Sequence, residues 1–373
     1  MKITRWFLTA GVVIAVCGPA MAGTKLTENE KILAPTVVQA SCDVGCSTSP
    51  SVCDEAPSCG CNQGGLLSGL FSGGCSSNCD GACDSGCATG CDSGCDGLGG
   101  CDDGLLGLGL IKRSDSCFDD FISPMTNPVF FEDPRTLSEV RFIFLNHDLP
   151  GSLGGNSVQV YAMQVRAALT ERLSLIATKD GLIYTQSPVL DSGYADIAAG
   201  LKYNLYRDVC SGRLLSAGFT FEAPTGSNKS LQGNGNGELN LFISGGARLG
   251  SKSHWVTTSG MREPMDTNLE NRLYYFSNHL DRQLGDRPVY AFTELNWFNY
   301  QSSGNAFPLA VEGGDLFNLG SPGITGNDLV THAVGFKAKP RRNMEVGLAW
   351  EYSLTKREGL LDDRLTADWI IRY

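Results

Sequence analysis

The sequence predicts an all-β fold: an antiparallel up-and-down transmembrane β-barrel of about twelve strands over residues 137–373, preceded by a largely disordered Cys/Gly-rich region. Three observations point there. Segments of roughly ten residues alternate apolar and polar side chains. The connections between them sort into long and short. An N-terminal export signal is followed by no stretch long and apolar enough to be a helical span.

The chain begins with the signal. Lys2 and Arg5 supply the positive start, Trp6 to Val16 a short apolar run, and Ala20-Met21-Ala22 a small-residue cleavage site. Residues 1–22 are therefore expected to be removed. The apolar run falls short of the ~20 residues a membrane helix needs. Cys17 is preceded by Val16, where a lipid-attachment box requires a small residue.

Residues 23–117 are rich in Cys, Gly, Ser and Asp, and are expected to lie in the periplasm. Cys75, Cys79, Cys83, Cys87, Cys91 and Cys95 stand four residues apart, each opening a unit close to Cys-Asp-Ser-Gly. So little apolar mass cannot form a packed core, so cross-links or a metal must order it or it stays flexible. The chain has 15 cysteines; loss of Cys17 with the signal leaves an even number, which in an oxidising compartment suggests disulfides. A metal-binding tail and an intermolecular cross-linking tail are the alternatives. No His lies on the ladder and its spacing is not that of paired zinc ligands, so no metal and no cofactor is assigned. Cys117, just before the first strand, and Cys210, in a short turn, fall at the same end of the barrel and form a candidate disulfide.

Residues 118–136 contain Phe121-Ile122-Ser123-Pro124 and Phe130-Phe131-Glu132-Asp133-Pro134-Arg135. The reading adopted places this segment on the rim of the periplasmic mouth; a partial plug is the alternative.

From Leu137 the alternation is clear in five places. Ala195, Ile197, Ala199, Leu201, Tyr203 and Leu205 oppose Asp196, Ala198, Gly200, Lys202 and Asn204. Leu215, Ala217, Phe219, Phe221 and Ala223 oppose Ser216, Gly218, Thr220 and Glu222. Leu239, Leu241, Ile243, Gly245 and Ala247 oppose Glu238, Asn240, Ser244 and Arg248. Met344, Val346, Leu348, Trp350 and Tyr352 oppose Glu345, Gly347, Ala349 and Glu351. Leu365, Ala367, Trp369, Ile371 and Tyr373 oppose Arg364, Thr366, Asp368 and Arg372. Half-buried strands of a soluble sandwich alternate as well, so the connections decide. Strands starting near 138, 157, 172, 194, 213, 237, 253, 271, 287, 328, 343 and 363 leave long connections at 147–156, 184–193, 224–236, 262–270, 301–327 and 357–362, and short ones between. Outer-membrane barrels sort their loops in this way, long outside and short at the periplasmic end. Tyr203, Tyr206, Trp255, Tyr274, Tyr275, Trp297, Tyr300, Trp350, Tyr352 and Tyr373 fall towards strand ends, as interfacial girdles would. The segments near 253 and 271 alternate poorly, and Val289–Tyr300 mixes Glu294 and Asn296 with Tyr290, Phe292 and Phe298 on one face.

The inward faces assign a lumen lined by Arg141, Arg166, Asp196, Lys202, Glu222, Glu238, Arg248, Glu294, Lys337, Glu345, Glu351, Arg364, Asp368 and Arg372. Such mixed charges either pair to fill the interior or line a narrow polar path. The formal net charge of -11 excludes nucleic acid as a partner. An outer-membrane lipase is the enzymatic rival, with Ser277 and His279 on one strand face, but no third orienting group stands beside them, and no catalytic residue is assigned.

Two stretches carry a family resemblance. Ala168-Leu169-Thr170-Glu171-Arg172-Leu173-Ser174-Leu175 and Phe219 to Gly226, ending Glu222-Ala223-Pro224-Thr225-Gly226, resemble outer-membrane β-barrel proteins of the phenol-degradation (meta-pathway) transporter type. The closing residues, Asp368 to Tyr373, resemble the last strand by which outer-membrane proteins are assembled, with Trp369, Ile371 and Tyr373 in the assembly positions. The resemblance covers 137–373 and not the Cys-rich region. It implies outer-membrane lipids and the barrel assembly machinery as partners. A small-molecule solute would pass through a narrow, porin-like channel in a Gram-negative-type envelope. The alternative is a non-conducting envelope anchor whose Cys-rich region holds a periplasmic or envelope partner.

Overall fold

The computed structural model describes residues 110–373 apart from 186, 188–189 and 357–358. The expected signal and the cysteine ladder lie outside the described residues. Twelve antiparallel strands make the wall: β1 Glu139–Asp148, β2 Ser157–Ala168, β3 in two segments (Leu173–Lys179 and Leu182–Thr185), β4 as Gly193–Tyr194 with Ile197–Asp208, β5 Arg213–Ala223, β6 Glu238–Arg248, β7 Ser253–Pro264, β8 Leu273–Gln283, β9 Val289–Tyr300, β10 Asp328–Arg341, β11 Met344–Ser353 and β12 Asp363–Arg372. Each pairs with its sequence neighbours. The first and last pair in register from Glu139↔Arg372 to Asp148↔Asp363, which closes the barrel. Closure leaves no unpaired edge, the condition for strands to cross a hydrocarbon layer.

The wall is inside-out relative to a soluble sandwich. Leu205, Phe219, Leu241, Ile243, Leu280, Phe336, Leu348, Trp350 and Trp369 are exposed outside, while Arg141, Arg166, Lys202, Glu294, Lys337, Glu345 and Arg364 are buried within. Outward aromatics stand in two bands. Tyr203, Tyr206, Trp255 and Trp369 lie near the short turns, and Tyr161, Tyr184, Tyr194, Tyr274 and Trp350 near the long loops. Tyr275 and Tyr300, which strand-end position alone had assigned to the girdle, are fully buried inside.

Two departures from regular pairing interrupt β3 and β4. The register slips between Ala177 and Lys179, and the chain breaks step again around Asp180–Gly181. There the Asp180 carboxylate accepts from the Met163 N–H at 2.7 Å, taking the place of a ladder partner. Ala195, expected outside, is buried beside Asp196, because the same irregularity turns both inward.

The weakly alternating segments are strands nonetheless. In β7, β8 and β9 the inward residues include Val256, Leu273, Tyr275, Tyr290, Phe292, Phe298 and Tyr300, all buried. A lumen filled with water would not accept them; a lumen filled with protein does. Lipid-facing charge on this wall should be costly: Ile243→Arg, at the middle of β6, is expected to lower stability by about 2–4 kcal/mol, read by denaturant unfolding in liposomes.

Candidate functional site

The interior is occupied from both ends. Residues 112–138 form a finger that enters at the short-turn end, where Lys112 N–H bonds Ala168 O at 2.7 Å and Ser114 N–H bonds Tyr373 O at 2.8 Å. It rises to a tip and returns to begin β1. The reversal is built at Asn127, which takes a positive φ of 51° and whose carbonyl accepts from the N–H groups of Phe130 and Phe131; Asn tolerates this left-handed conformation better than most side chains. The segment expected on the rim is thus inside the lumen. Phe118, Phe121, Ile122, Ser123, Met125, Thr126, Asn127 and Glu132 are all buried.

The finger bonds to strands all round the wall. Ser123 N–H donates to Glu345 at 3.1 Å, and Ser123 O accepts from Lys337 Nζ at 2.8 Å. Met125 and Thr126 N–H donate to Glu294 at 2.8 and 2.6 Å. Asn127 donates to Ser277 Oγ at 2.8 Å, and Pro128 O accepts from Gln164 at 2.7 Å. Glu132 O accepts from Thr258 Oγ1 at 2.8 Å, and Pro134 O from Ser216 Oγ at 2.6 Å. A segment without regular structure leaves its backbone groups orphaned, and buried they must find partners; the polar inner face supplies them. Small inner residues make the room: a side chain on Gly347 would collide with Met125 Sδ, and one on Gly246 would meet Pro134 at 3.1 Å.

Charges form a continuous chain in the short-turn half. Glu132 pairs with Arg166 at 2.6 Å and Lys202 at 2.7 Å. Arg166 also reaches Glu139 at 3.1 Å, and Glu139 pairs with Arg372 at 2.9 Å. Arg372 pairs with Glu345 at 2.6 Å; Lys337 then joins Glu345 and Asp368, and Asp368 pairs with Arg141 at 2.9 Å. Within the finger Arg135 clasps Asp133 at 2.7 Å and donates to Ser123 Oγ and the Phe118 and Phe121 carbonyls. Burial opposes the charge on Asp133, but the Arg135 guanidinium beside it wins and holds its carboxyl below the usual carboxylate range.

The long-loop half holds the largest apolar cluster and is closed by the β9–β10 connection, 301–327, which folds inward. Its Leu316, Phe317, Leu319 and Ile324 pack with the finger's Val129 and Phe130 and with Ile143, Val160, Ile183, Tyr275 and Phe298 of the wall. Phe130 stacks on Tyr275 with ring centroids 4.8 Å apart. Asp315 of this loop pairs with Arg364 at 2.9 Å, and Arg364 with Glu351 at 2.6 Å. Gln232 donates to Leu316 O at 3.1 Å, and Glu238 accepts from Asn318. A narrow apolar cleft remains between tip, loop and wall, lined by Val129, Ile143, Val160, Ile183, Leu316 and Phe317.

The predicted lumen residues all stand on the inner side, in groups. Lys202, Arg166, Arg372, Glu345, Lys337, Asp368 and Arg141 join the chain above. Glu351 and Arg364 hold the loop. Glu222 pairs with Lys179, and Glu238 lies 3.5 Å from Arg262. Asp196 accepts from the N–H groups of Gly226 and Gly233, Glu294 from the finger, and Arg248 sits at the short-turn mouth on Asp120 at 2.5 Å. Trp369 and Ile371 face outward on β12, and Tyr373 follows it. Ser277 and His279 are both fully buried inside and do not bond each other: Ser277 accepts from Asn127, and His279 faces Glu294 and Asp281. Cys117 and Val209, the neighbour of Cys210, both pack against the cluster of Phe118, Phe121, Phe131, Leu214 and Val256. Sequence reasoning missed Glu132, Asp133 and Arg135 as interior charges; their place directly after Phe130 and Phe131, with no alternation, was the available signal.

No protein-family model matches the chain, and no curated protein does. Among solved structures, it is similar to an outer-membrane channel from Pseudomonas putida F1 (11% identity, TM-score 0.49, 68% of this chain and 100% of that one). It is also similar to the KdgM porin in complex with disordered oligogalacturonate (11%, TM-score 0.40, 63% and 99%) and to the NanC porin (6%, TM-score 0.42, 63% and 99%).

Removing Glu132 from the finger leaves Lys202 buried without a carboxylate partner and Arg166 with Glu139 alone. Glu132→Ala is expected to cost about 3–5 kcal/mol, the scale for breaking a buried pair from one side. Lys202 and Arg166 are almost wholly buried, so the loss should exceed that of the more exposed Asp120→Ala; denaturant unfolding of the two variants in detergent checks the order.

Proposed function

We propose that the protein is an outer-membrane channel for small molecules, closed in this state by a finger from one side and a loop from the other. The apolar outer wall, with its two aromatic bands, supports a bilayer setting. One observation carries the channel reading. Wall side chains alone do not fill the lumen, as they do in the smallest barrels; two chain segments outside the strand ladder do, and both can leave without breaking a single wall pairing. The resemblance of 168–175 and 219–226 to phenol-degradation-type transporters supports small solutes over large ones.

Planar-bilayer recording tests it. Deleting residues 118–136 is expected to raise single-channel conductance over the intact chain, and shortening the 307–324 part of the β9–β10 connection to raise it independently. A folded double variant that stays silent would overturn the channel reading. The buried ion-pair chain around Glu132 favours the second reading, a stoppered barrel acting as an envelope anchor, and that silent outcome is its signature.

The N-terminal region is proposed to be periplasmic after removal of residues 1–22, with lipids and the barrel assembly machinery as partners and an envelope partner for the Cys-rich part. A Cys117–Cys210 disulfide is proposed to staple the finger's base to the β4–β5 turn, beside the Asp115–Arg207 pair at 2.8 Å. Mass spectrometry of the non-reduced protein is expected to recover the two cysteines in one linked peptide; either found as a free thiol removes the staple.

A further inference from the structure

A second set of charges, half-buried at Asp120 and fully buried beyond it, holds the finger opposite the Glu132 chain, and it alternates acid and imidazole. Asp120, on the rising limb, pairs with Arg248 of β6 at 2.5 Å and with His254 Nε2 of β7 at 3.0 Å. His254 Nδ1 lies 2.8 Å from Asp281 of β8. The other Asp281 oxygen lies 3.3 Å from His279 Nε2, and His279 Nδ1 lies 2.6 Å from Glu294 of β9. Glu294 returns to the finger, accepting from the Met125 and Thr126 N–H groups. The series therefore begins and ends on the finger, six residues apart, and passes through the wall between. Both rings are almost wholly buried. Phe121 covers His254 at 4.4 Å and Phe292 covers His279 at 5.2 Å. Tyr290 of β9, with Lys339 of β10 over its ring, completes the surroundings of His254, and Asp119 is the next acid along the finger.

We propose that Asp120, His254, Asp281, His279 and Glu294 form a proton-controlled latch that holds the finger in the lumen. Each imidazole has a carboxylate at both ring nitrogens. Only the doubly protonated ring donates from both; a neutral ring turns one lone pair towards an anion. With both rings charged, three carboxylates face two imidazolium ions and the Arg248 guanidinium, and the set is neutral. Loss of a ring proton leaves an uncompensated negative charge next to the finger, and Asp281 and Glu294 lie fully buried, where water screens little. The hold is therefore present at low pH and lost as pH rises through the ring titrations. At the acid end the set persists. Burial opposes the charge of Asp120, yet hydrogen bonds from His254 and Arg248 keep its carboxyl well below the usual carboxylate range.

The latch rests on the seated finger rather than on the channel reading, and its test reads seating, so a silent barrel would leave it standing. The mature protein in liposomes is treated with proteinase K between pH 6 and 10. Cleavage within 118–131 is scored against a peptide substrate in the same tube. Cleavage is expected to rise at least tenfold across the range, while His254→Gln/His279→Gln, which carries no titrating ring, is cleaved at one rate throughout. Asp120→Asn changes no strand residue and keeps the variant set informative if the double variant fails to fold. It removes one of the two anions on His254 and should lower the midpoint of release by at least one pH unit. Equal protection of the wild type at pH 6 and 10, or an unmoved midpoint in Asp120→Asn, would overturn the latch.

Discussion

The placement of Glu132 between Arg166 and Lys202 is the contact on which the interior depends. Two cations projecting from β2 and β4 into a closed space cannot remain there without a counter-charge, because the loss of hydration far exceeds what a bare pair of like charges tolerates. The wall supplies Glu139 for Arg166, but Lys202 reaches only Glu132 and the Asp133 carbonyl among the contacts it makes. The counter-charge thus comes from outside the strand ladder, and the finger that carries it must lie where it lies. The reversal at Asn127 returns the chain to that point, and the small inner faces of Gly246 and Gly347 leave room for Pro134 and Met125 on its two limbs.

The longest ion-pair chain and the largest apolar cluster take different halves of the barrel axis. The short-turn half holds the ion-pair chain; the long-loop half holds Val129, Phe130, Phe317 and the wall side chains packed on them. The division matches the two inserts. A segment whose backbone is irregular needs many polar partners, and the finger's limbs find them on carboxylates, hydroxyls and amides. The tip presents apolar side chains, and the β9–β10 connection meets it with its own. Each insert covers the apolar surface of the other, so neither half of the closure is complete alone.

The wall was legible because a two-residue period is a property of neighbouring residues. Glu238–Arg248 and Asp363–Arg372 could be read from their own letters, and strand starts followed from turn residues and loop sorting. The occupied lumen was not legible, since it is a relation between residues far apart: Met125 and Glu294, Asn127 and Ser277, Asp120 and His254. Its only trace in the sequence was a failure of the pattern. Tyr290, Phe292 and Phe298 sharing a face with Glu294 and Asn296 was ambiguous as a strand facing water. It is coherent as a strand facing Ile122 and Met125 at one height, the Thr126 hydroxyl at the next, and Phe317 above. The same holds for Tyr275 and Tyr300, whose strand-end position suggested lipid and whose partners are the finger tip and the inward loop.

Closure of the wall and seating of the finger meet in one side chain. Arg372, the last residue of β12, donates to Glu139 of β1 across the seam, to Glu345 of β11 and to Ser123 Oγ of the finger. Its guanidinium is fully satisfied only when the first and last strands are paired and the finger is inside. Ser123 Oγ in turn donates to Asp133 and accepts from Arg135, tying both limbs of the finger together at the level of the seam. An arrangement of this kind makes an empty closed barrel and a seated finger in an open sheet both poorer states than the two together. The cooperativity that results is local: the wall partners in the second set, Arg248, His254, Asp281, His279 and Glu294, lie on β6 to β9, away from the seam. Loss of that second hold frees the rising limb while leaving Arg372 and Glu139 in place, so the finger can loosen on one side without opening the wall.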